Sequence, residues 1–142
     1  MTLSSKSRRV AALLCIAPLA LGIAACGSTV STSGFKGEEH AVAQTISNLQ
    51  SDATASEPGK ICKNDLAASV VTRLGGVKAC EAAIKSQLTE VDSLEVSVKS
   101  IKLGSGGTTA TAEVTSTYGG KKAHGPVTLV KEGGKWKMAS IG

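Results

Sequence analysis

The feature that most constrains this chain is a change in the spacing of its apolar residues near residue 90. Before that point, from Glu38 onward, apolar residues recur every three or four positions, which is the period of an amphipathic helix. From Leu94 onward, apolar and polar residues alternate, which is the period of a strand. Helical patterns followed by strand patterns predict an α+β domain, with helices covering one face of an antiparallel sheet.

Three helices are predicted in the first half. The first, Glu38 to Ala53, carries an apolar stripe that includes Val42, Ile46 and Leu49. The second spans residues 64–74, with Asn64 or Asp65 as its N-terminal cap and two glycines at its end. The third spans residues 77–89 and has the same periodicity.

Four strands in hairpin order are predicted in the second half, at residues 94–103, 108–118, 126–131 and 136–141. In the first of them the alternation changes phase near Lys99 and Ser100, which predicts a β-bulge. In the last, Trp136 and Met138 are expected to face the core.

The N-terminus has the three-part composition of an export signal. Residues 1–9 carry basic residues and no acid, and residues 10–25 carry no charge. The apolar stretch ends in Ile23-Ala24-Ala25-Cys26, where an aliphatic and two small residues precede a cysteine. This run resembles the bacterial lipobox, at which a signal peptide is removed before a lipid-modified cysteine.

The lipobox resemblance divides the chain into a lipoprotein signal peptide (1–25), a flexible lipid-proximal tether (26–37) and a folded domain (38–142). It implies that Cys26 carries a diacylglycerol, with acyl chains such as palmitate, and holds the domain at the outer face of the cell membrane. Two acyl chains make a firm anchor, whereas one binds reversibly. The alternatives are a soluble secreted protein with a chance cysteine, or a leader retained as a membrane helix.

The remaining cysteines predict a disulfide. Cys15 lies in the leader and Cys26 is the lipidation site, which leaves Cys62 and Cys80. In an exported protein such a pair is oxidised by default, and these two residues bracket the predicted second helix. A redox-active pair is the alternative, although reactive pairs usually have Cys-X-X-Cys spacing. A zinc site would need two further ligands.

Charge and aromatic content argue against nucleic acid as a partner. The formal net charge is +5, but Lys6, Arg8 and Arg9 lie in the leader, so the remainder carries only +2. Nucleic-acid binding needs a clustered basic face or a series of stacking aromatics. The chain has one Phe, one Tyr and one Trp.

Residues 127–138, with the sequence VTLVKEGGKWKM, form the predicted closing hairpin. This run resembles the last hairpin of small exported lipoproteins of the NTF2-like superfamily, and the cysteines around the second helix are similar to that group as well. The resemblance implies an α+β fold in which N-terminal helices pack on a curved antiparallel four-stranded sheet. Such a sheet forms a cone around a pocket.

The inward-facing candidates for a ligand pocket in this cone are Ser116, Tyr118 and Trp136. Enzymes of this shape place an Asp and a His, or a Tyr, inside the cone, which makes His124 and Tyr118 the catalytic candidates. No carboxylate is an evident partner for His124. We therefore predict no catalytic residue, no metal site and no cofactor.

These features together predict a membrane-anchored envelope lipoprotein whose domain binds a small apolar ligand or an envelope protein. One alternative is a small hydrolase or isomerase that uses His124 or Tyr118. Another is a structural or regulatory subunit of an envelope complex, with the cone filled by side chains. Fold alone does not decide between them, because this fold hosts enzymes, carriers and adaptors.

Overall fold

The computed structural model describes residues 30–89 and 94–141, in which helices precede strands as predicted. The helices are α1 (Gly37–Thr54), α2 (Pro58–Lys60), α3 (Ala68–Arg73) and α4 (Val77–Leu88), with a π-helical segment (Ile61–Asp65) between α2 and α3. The strands are β1 (Leu94–Leu103), β2 (Thr109–Tyr118), β3 (Lys121–Glu132) and β4 (Lys135–Ile141). The α+β class is confirmed.

The strands form one antiparallel sheet in the order β1-β2-β3-β4. The predicted bulge is confirmed, since the register between β1 and β2 shifts between Val98 and Ser100. A second shift, between Thr128 and Leu129, was not predicted. Bulges bend a strand and increase its twist, and they are a usual source of sheet curvature.

The third strand begins earlier than predicted, at Lys121 rather than Pro126. The turn before it needs only Gly119 and Gly120, whose φ angles are +50° and +76°. Glycine adopts this left-handed region without steric cost, so two residues close the hairpin. Residues 121–125 are therefore free to pair with β2.

The core lies between α1 and one face of the sheet. Helix α1 buries Val42, Ala43 and Ile46 on the side that faces the strands. The sheet contributes Val127 and Leu129 from β3, together with other buried residues of the same face. Burying a side chain of this size contributes about 1.5–3 kcal/mol, so this contact holds the two layers together.

The predicted second helix, residues 64–74, is wrong in its first half. Asp65 ends the π-helical segment, and Leu66 has extended dihedral angles (φ −89°, ψ 143°). Leu66 pairs with Met138 as a parallel bridge, and the Ala67 amide donates to the Met138 carbonyl at 2.8 Å. The edge of β4 thus takes up these backbone groups, and neither Asn64 nor Asp65 caps α3.

The predicted disulfide is confirmed. Cys62 of the π-helical segment is bonded to Cys80 of α4, with their Cα atoms 6.1 Å apart. Both residues are buried in the core cluster, at 2% and 0% exposure. The bond therefore joins two helical elements that lie on the same side of the sheet.

Part of the predicted tether, residues 26–37, lies against the domain. Val30 is buried, and Phe35 packs on the core just before α1 begins at Gly37. The lipobox-like run, residues 23–26, and the predicted signal peptide lie outside the described residues. Within residues 30–89 and 94–141, every helix is too short or too polar to cross a membrane.

Candidate functional site

An apolar cavity of about 180 Å³ lies between α1 and the first two strands. All but two of its lining residues are apolar. They are Ile46, Leu49, Gln50, Leu94, Val96, Val114, Ser116, Val127 and Met138.

Local patterns explain why these residues meet. In β1, Leu94 and Val96 point to the same face because successive side chains of a strand alternate. Val96 stands opposite Ser116 of β2, so the inner face of this strand pair continues across both strands. Helix α1 supplies the facing wall with residues three and four positions apart, which share one side of a helix.

The cavity is partly open to solvent along its sheet wall. Leu94, Val96 and Val114 are only half buried, so α1 leaves their apolar side chains partly accessible to solvent. Gln50 is 6% exposed, and its Nε2 donates to the Leu94 carbonyl at 3.0 Å. Gln50 thereby fixes the C-terminal half of α1 to the start of β1. Ser116 brings a hydroxyl to the sheet wall.

The volume limits what the cavity can hold. Sites for drug-sized ligands are about 300–1,000 Å³, whereas an apolar cavity of about 150 Å³ is known to hold benzene. A volume of about 180 Å³ therefore suits a molecule of that size, or the apolar end of a longer one.

The structure does not bring together the three residues of the predicted pocket, Ser116, Tyr118 and Trp136. Ser116 lines the cavity, whereas Tyr118 lies two residues further along β2 and is 39% exposed. Trp136 is at the other end of the sheet, because it pairs with Lys131 while Tyr118 pairs with Lys121. Ten residues of one strand span about 30 Å, so Trp136 and Tyr118 cannot share a pocket.

Trp136 faces the core as predicted, and it secures the start of α1. It is 5% exposed, and its Nε1 donates to Glu38 Oε2 at 2.7 Å. Lys131 donates to the other oxygen of Glu38 at 2.8 Å and lies 5.6 Å from the centre of the Trp136 ring. The bond from Lys131, and then that from Trp136, hold the pKa of the Glu38 carboxyl below its usual value.

The two residues of the enzyme hypothesis lie at the β2–β3 end of the sheet. His124 is exposed and pairs across the strands with Thr115, and Tyr118 precedes the turn. Neither residue lines the apolar cavity. Across the part of the chain that the structure describes, no group of three or more His, Cys, Asp or Glu residues could hold a metal ion.

A second, polar groove of about 550 Å³ lies on the other side of α1, against the π-helical segment and β4. Its lining residues carry amide, hydroxyl, imidazole, carboxyl and ammonium groups. They include His40, Gln44, Thr45, Asn48, Asn64, Asp65, Lys135 and Lys137.

Asp65 in the wall of this groove has an unusual environment that the sequence pattern did not reveal. It is 4% exposed, and its Oδ2 has no hydrogen-bond partner among the described residues. Burial, then the charge of Asp52 and a side-chain hydrogen bond with it, raise the pKa of Asp65 to about 7, against a smaller opposite effect of Lys137. In the sequence, Asp65 has the position of an ordinary helix cap.

No family model and no curated protein matches the chain. Among solved structures, an Rd1NTF2 variant is 15% identical over 72% of this chain and 95% of its own, with a TM-score of 0.49. A protein described as an NTF2-like transpeptidase from Campylobacter jejuni is 12% identical over 69% of this chain and 96% of its own, with a TM-score of 0.47.

A de novo designed protein with a curved β-sheet is 17% identical over 44% of this chain, with a TM-score of 0.36. The chain spans only 58% of that protein's length. The chain's own helices and bulged antiparallel sheet fit the α+β NTF2-like fold.

Proposed function

We propose that this domain binds a small apolar molecule, or the apolar end of a larger one, in the cavity between α1 and the β1–β2 face. One observation carries the proposal. The cavity wall is apolar, and three of its side chains, Leu94, Val96 and Val114, remain partly exposed to solvent. Apolar surface in contact with water is stabilised when an apolar ligand covers it.

The expected affinity is modest. A molecule the size of benzene buries about 200 Å² of apolar surface, which at about 25 cal/mol per Å² gives about 5 kcal/mol. That corresponds to a Kd on the order of 0.1–1 mM. A longer ligand that continues across the half-buried face of β1 and β2 would bind more tightly.

The test is an NMR titration of the mature protein with benzene and, separately, with hexanol. Resonances of Ile46, Val96 and Val114 should shift and saturate. Val114→Phe fills the cavity from the sheet wall and should abolish the shifts. Thr115→Phe is the matched control, because the neighbouring residue points to the opposite face of β2 and should leave binding unchanged. Saturable binding that survives Val114→Phe would sink the proposal.

We further propose that the domain works at an envelope membrane, anchored through lipid on Cys26. The motif that supports this is the lipobox-like run that ends at Cys26. Cys26→Ser should move the protein from the membrane fraction to the soluble fraction. If the variant still sediments with membranes, then lipid on Cys26 is not the anchor. Mass spectrometry of native protein would report the lipid, the disulfide and any carried ligand together.

The enzyme alternative requires His124 or Tyr118 to face a bound substrate, and both are exposed beyond the cavity. The alternative of a structural or regulatory subunit predicts that neither benzene nor hexanol binds, because the cavity would then be packing space only. The same titration therefore separates a binding module from a structural subunit.

A further inference from the structure

Asp65 is the last residue of the π-helical segment and forms part of the wall of the polar groove. It is only 4% exposed, and one of its carboxyl oxygens has no hydrogen-bond partner among the residues described. Its neighbour across the interface is another carboxyl, that of Asp52 on α1. A buried carboxylate beside a second carboxylate is costly, whereas a protonated acid in that place is not.

The charged groups around Asp65 come from four elements that pack on its segment. Helix α1 presents Asp52 and, elsewhere on the groove wall, His40. Strand β4 presents Lys137, which is the cation that acts on the carboxyl, and Lys135 on the same wall. Lys137 is also engaged elsewhere, because its Nζ donates to the carbonyls of Lys63, at 3.0 Å, and Asn64. One cation shared with two carbonyls does not neutralise both acids.

The other two neighbouring elements bring charges that are paired with other groups. Glu81 of α4 lies 3.6 Å from Lys63. Lys60 of α2 is paired with Glu57. Neither pair supplies Asp65 with a counter-charge, so the state of its carboxyl depends on the proton.

We propose that Asp65 is a proton-operated latch on the wall of the polar groove. When protonated, it holds the π-helical segment closed against α1 and β4. When the proton leaves to solvent, the carboxylate faces Asp52 in a buried site, and the segment opens so that Asp65 reaches water. Opening loosens the wall of the groove and the segment that carries Cys62.

Two backbone hydrogen bonds mark the closed state. The Leu66 amide donates to the Ile61 carbonyl at 3.0 Å, within the π-helical turn. The Ala67 amide donates to the Met138 carbonyl at 2.8 Å, where the segment meets the edge of β4. The Ala67 bond breaks when the segment lifts away from β4, and the Leu66 bond breaks as the π-helical turn unwinds to bring Asp65 to water. Exchange of these two amides therefore reports opening.

The direction of the pH effect follows from the two states. In the closed state the pKa of Asp65 is about 7, and in the open state the carboxyl is solvated and has a pKa of about 3.9. Between these values the closed state binds one proton more than the open state. Opening therefore increases as pH rises from about 4 to about 7 and levels off above that.

The test is native-state hydrogen exchange of the mature protein between pH 5 and pH 8, corrected for intrinsic exchange rates. Protection of the Leu66 and Ala67 amides should fall by roughly 10- to 100-fold over this range. In Asp65→Asn the protection of both amides should not depend on pH. Glu113→Gln changes an exposed carboxyl on β2 and is the matched control, so it should retain the wild-type fall.

Asp52→Asn tests the pair without touching Asp65. Removing the facing charge favours the ionised form of Asp65, so the fall in protection should be smaller than in the wild type. The proposal is overturned if wild-type protection does not change with pH, or if Asp65→Asn shows the same fall. Should Asp65→Asn fail to fold, a fall in Asp52→Asn as large as that of the wild type would also overturn it.

Discussion

The two sides of α1 face spaces of opposite chemistry. On the β1–β2 side lies an apolar cavity of about 180 Å³ whose lining contains no titratable residue. On the β4 side lies a polar groove of about 550 Å³, with the buried carboxyl of Asp65 in its wall. The first side can gain free energy by covering apolar surface, and the second can gain it by binding a proton.

The difference arises from how each side is closed. On the apolar side, α1 packs directly on strands that belong to one continuous sheet. On the polar side, a short non-helical stretch at Leu66 and Ala67 joins the helices to the edge of β4. A wall formed by a regular sheet is held by all the hydrogen bonds between its strands. A wall attached through a few hydrogen bonds needs less free energy to open locally. We therefore expect the two sides to respond to different perturbations.

Removing the disulfide should have the largest effect. Cys62 and Cys80 are 18 residues apart, and closing a loop of that length stabilises a protein by on the order of 3 kcal/mol. In Cys62→Ser combined with Cys80→Ser, the free energy of unfolding measured in urea should fall by about that amount. Because the bond lies outside the apolar cavity, the Kd for benzene should be unchanged in conditions where the variant remains folded.

Chemical reduction of the wild-type protein is the control, since it removes the same bond without a substitution. It should reproduce the loss of stability. Joint loss of benzene binding and of stability would mean that the two sides of α1 open as one cooperative unit, and the contrast between them would not hold.

The pH dependence of stability should be the second largest effect. The folded protein keeps the proton of Asp65 up to a pKa of about 7, and the unfolded chain releases it near pH 3.9. The stability that Asp65 contributes is therefore fully present below about pH 4, is lost as pH rises to about 7, and does not change above that. Between pH 5 and pH 8 the loss from this group is roughly 2–3 kcal/mol.

Urea unfolding at pH 5, 6.5 and 8 measures this loss, and Asp65→Asn should abolish it. The Kd for benzene should not vary across the same range, because the apolar cavity has no titratable lining residue. A wild-type stability that rises with pH from 5 to 8 would contradict the assignment to Asp65. A benzene Kd that follows pH would show that the two sides are coupled.

The apolar side is the more predictable from sequence, for a physical reason. Alternation in β1 and β2 is a local property, so it places Val96 and Ser116 on the inner face without knowledge of the rest of the chain. The phase change at Lys99 and Ser100 likewise predicts the bulge. Inward orientation does not fix position along the sheet, however, so alternation alone does not reveal that Trp136 and Tyr118 lie at opposite ends.

The polar side depends on contacts that are distant in sequence. Residues 64–74 have helical spacing, but the open edge of β4 offers Leu66 and Ala67 hydrogen bonds that the local pattern does not encode. Tertiary contacts commonly override helix propensity in this way. The burial of Asp65 follows from that docking, so its altered pKa has no counterpart in the sequence pattern.

The smallest effect is expected in the first turn of α1, at Glu38. Glu38 accepts bonds from Lys131 and Trp136, but its side chain is 47% exposed. Exposed ion pairs contribute little, and in Glu38→Gln the amide oxygen can still accept the bond from Trp136. Tm should therefore fall by only a few degrees at low salt, and by less at high salt because screening already weakens the wild-type pair.

Glu39→Gln is the control, since it changes the adjacent carboxyl and leaves both bonds in place. Glu38 lines neither the apolar cavity nor the polar groove, so the variant should alter neither the benzene Kd nor the pH dependence of Leu66 exchange. A change in the benzene Kd alone, or in the pH dependence of Leu66 exchange alone, would show that the bond to Glu38 supports only that side of α1.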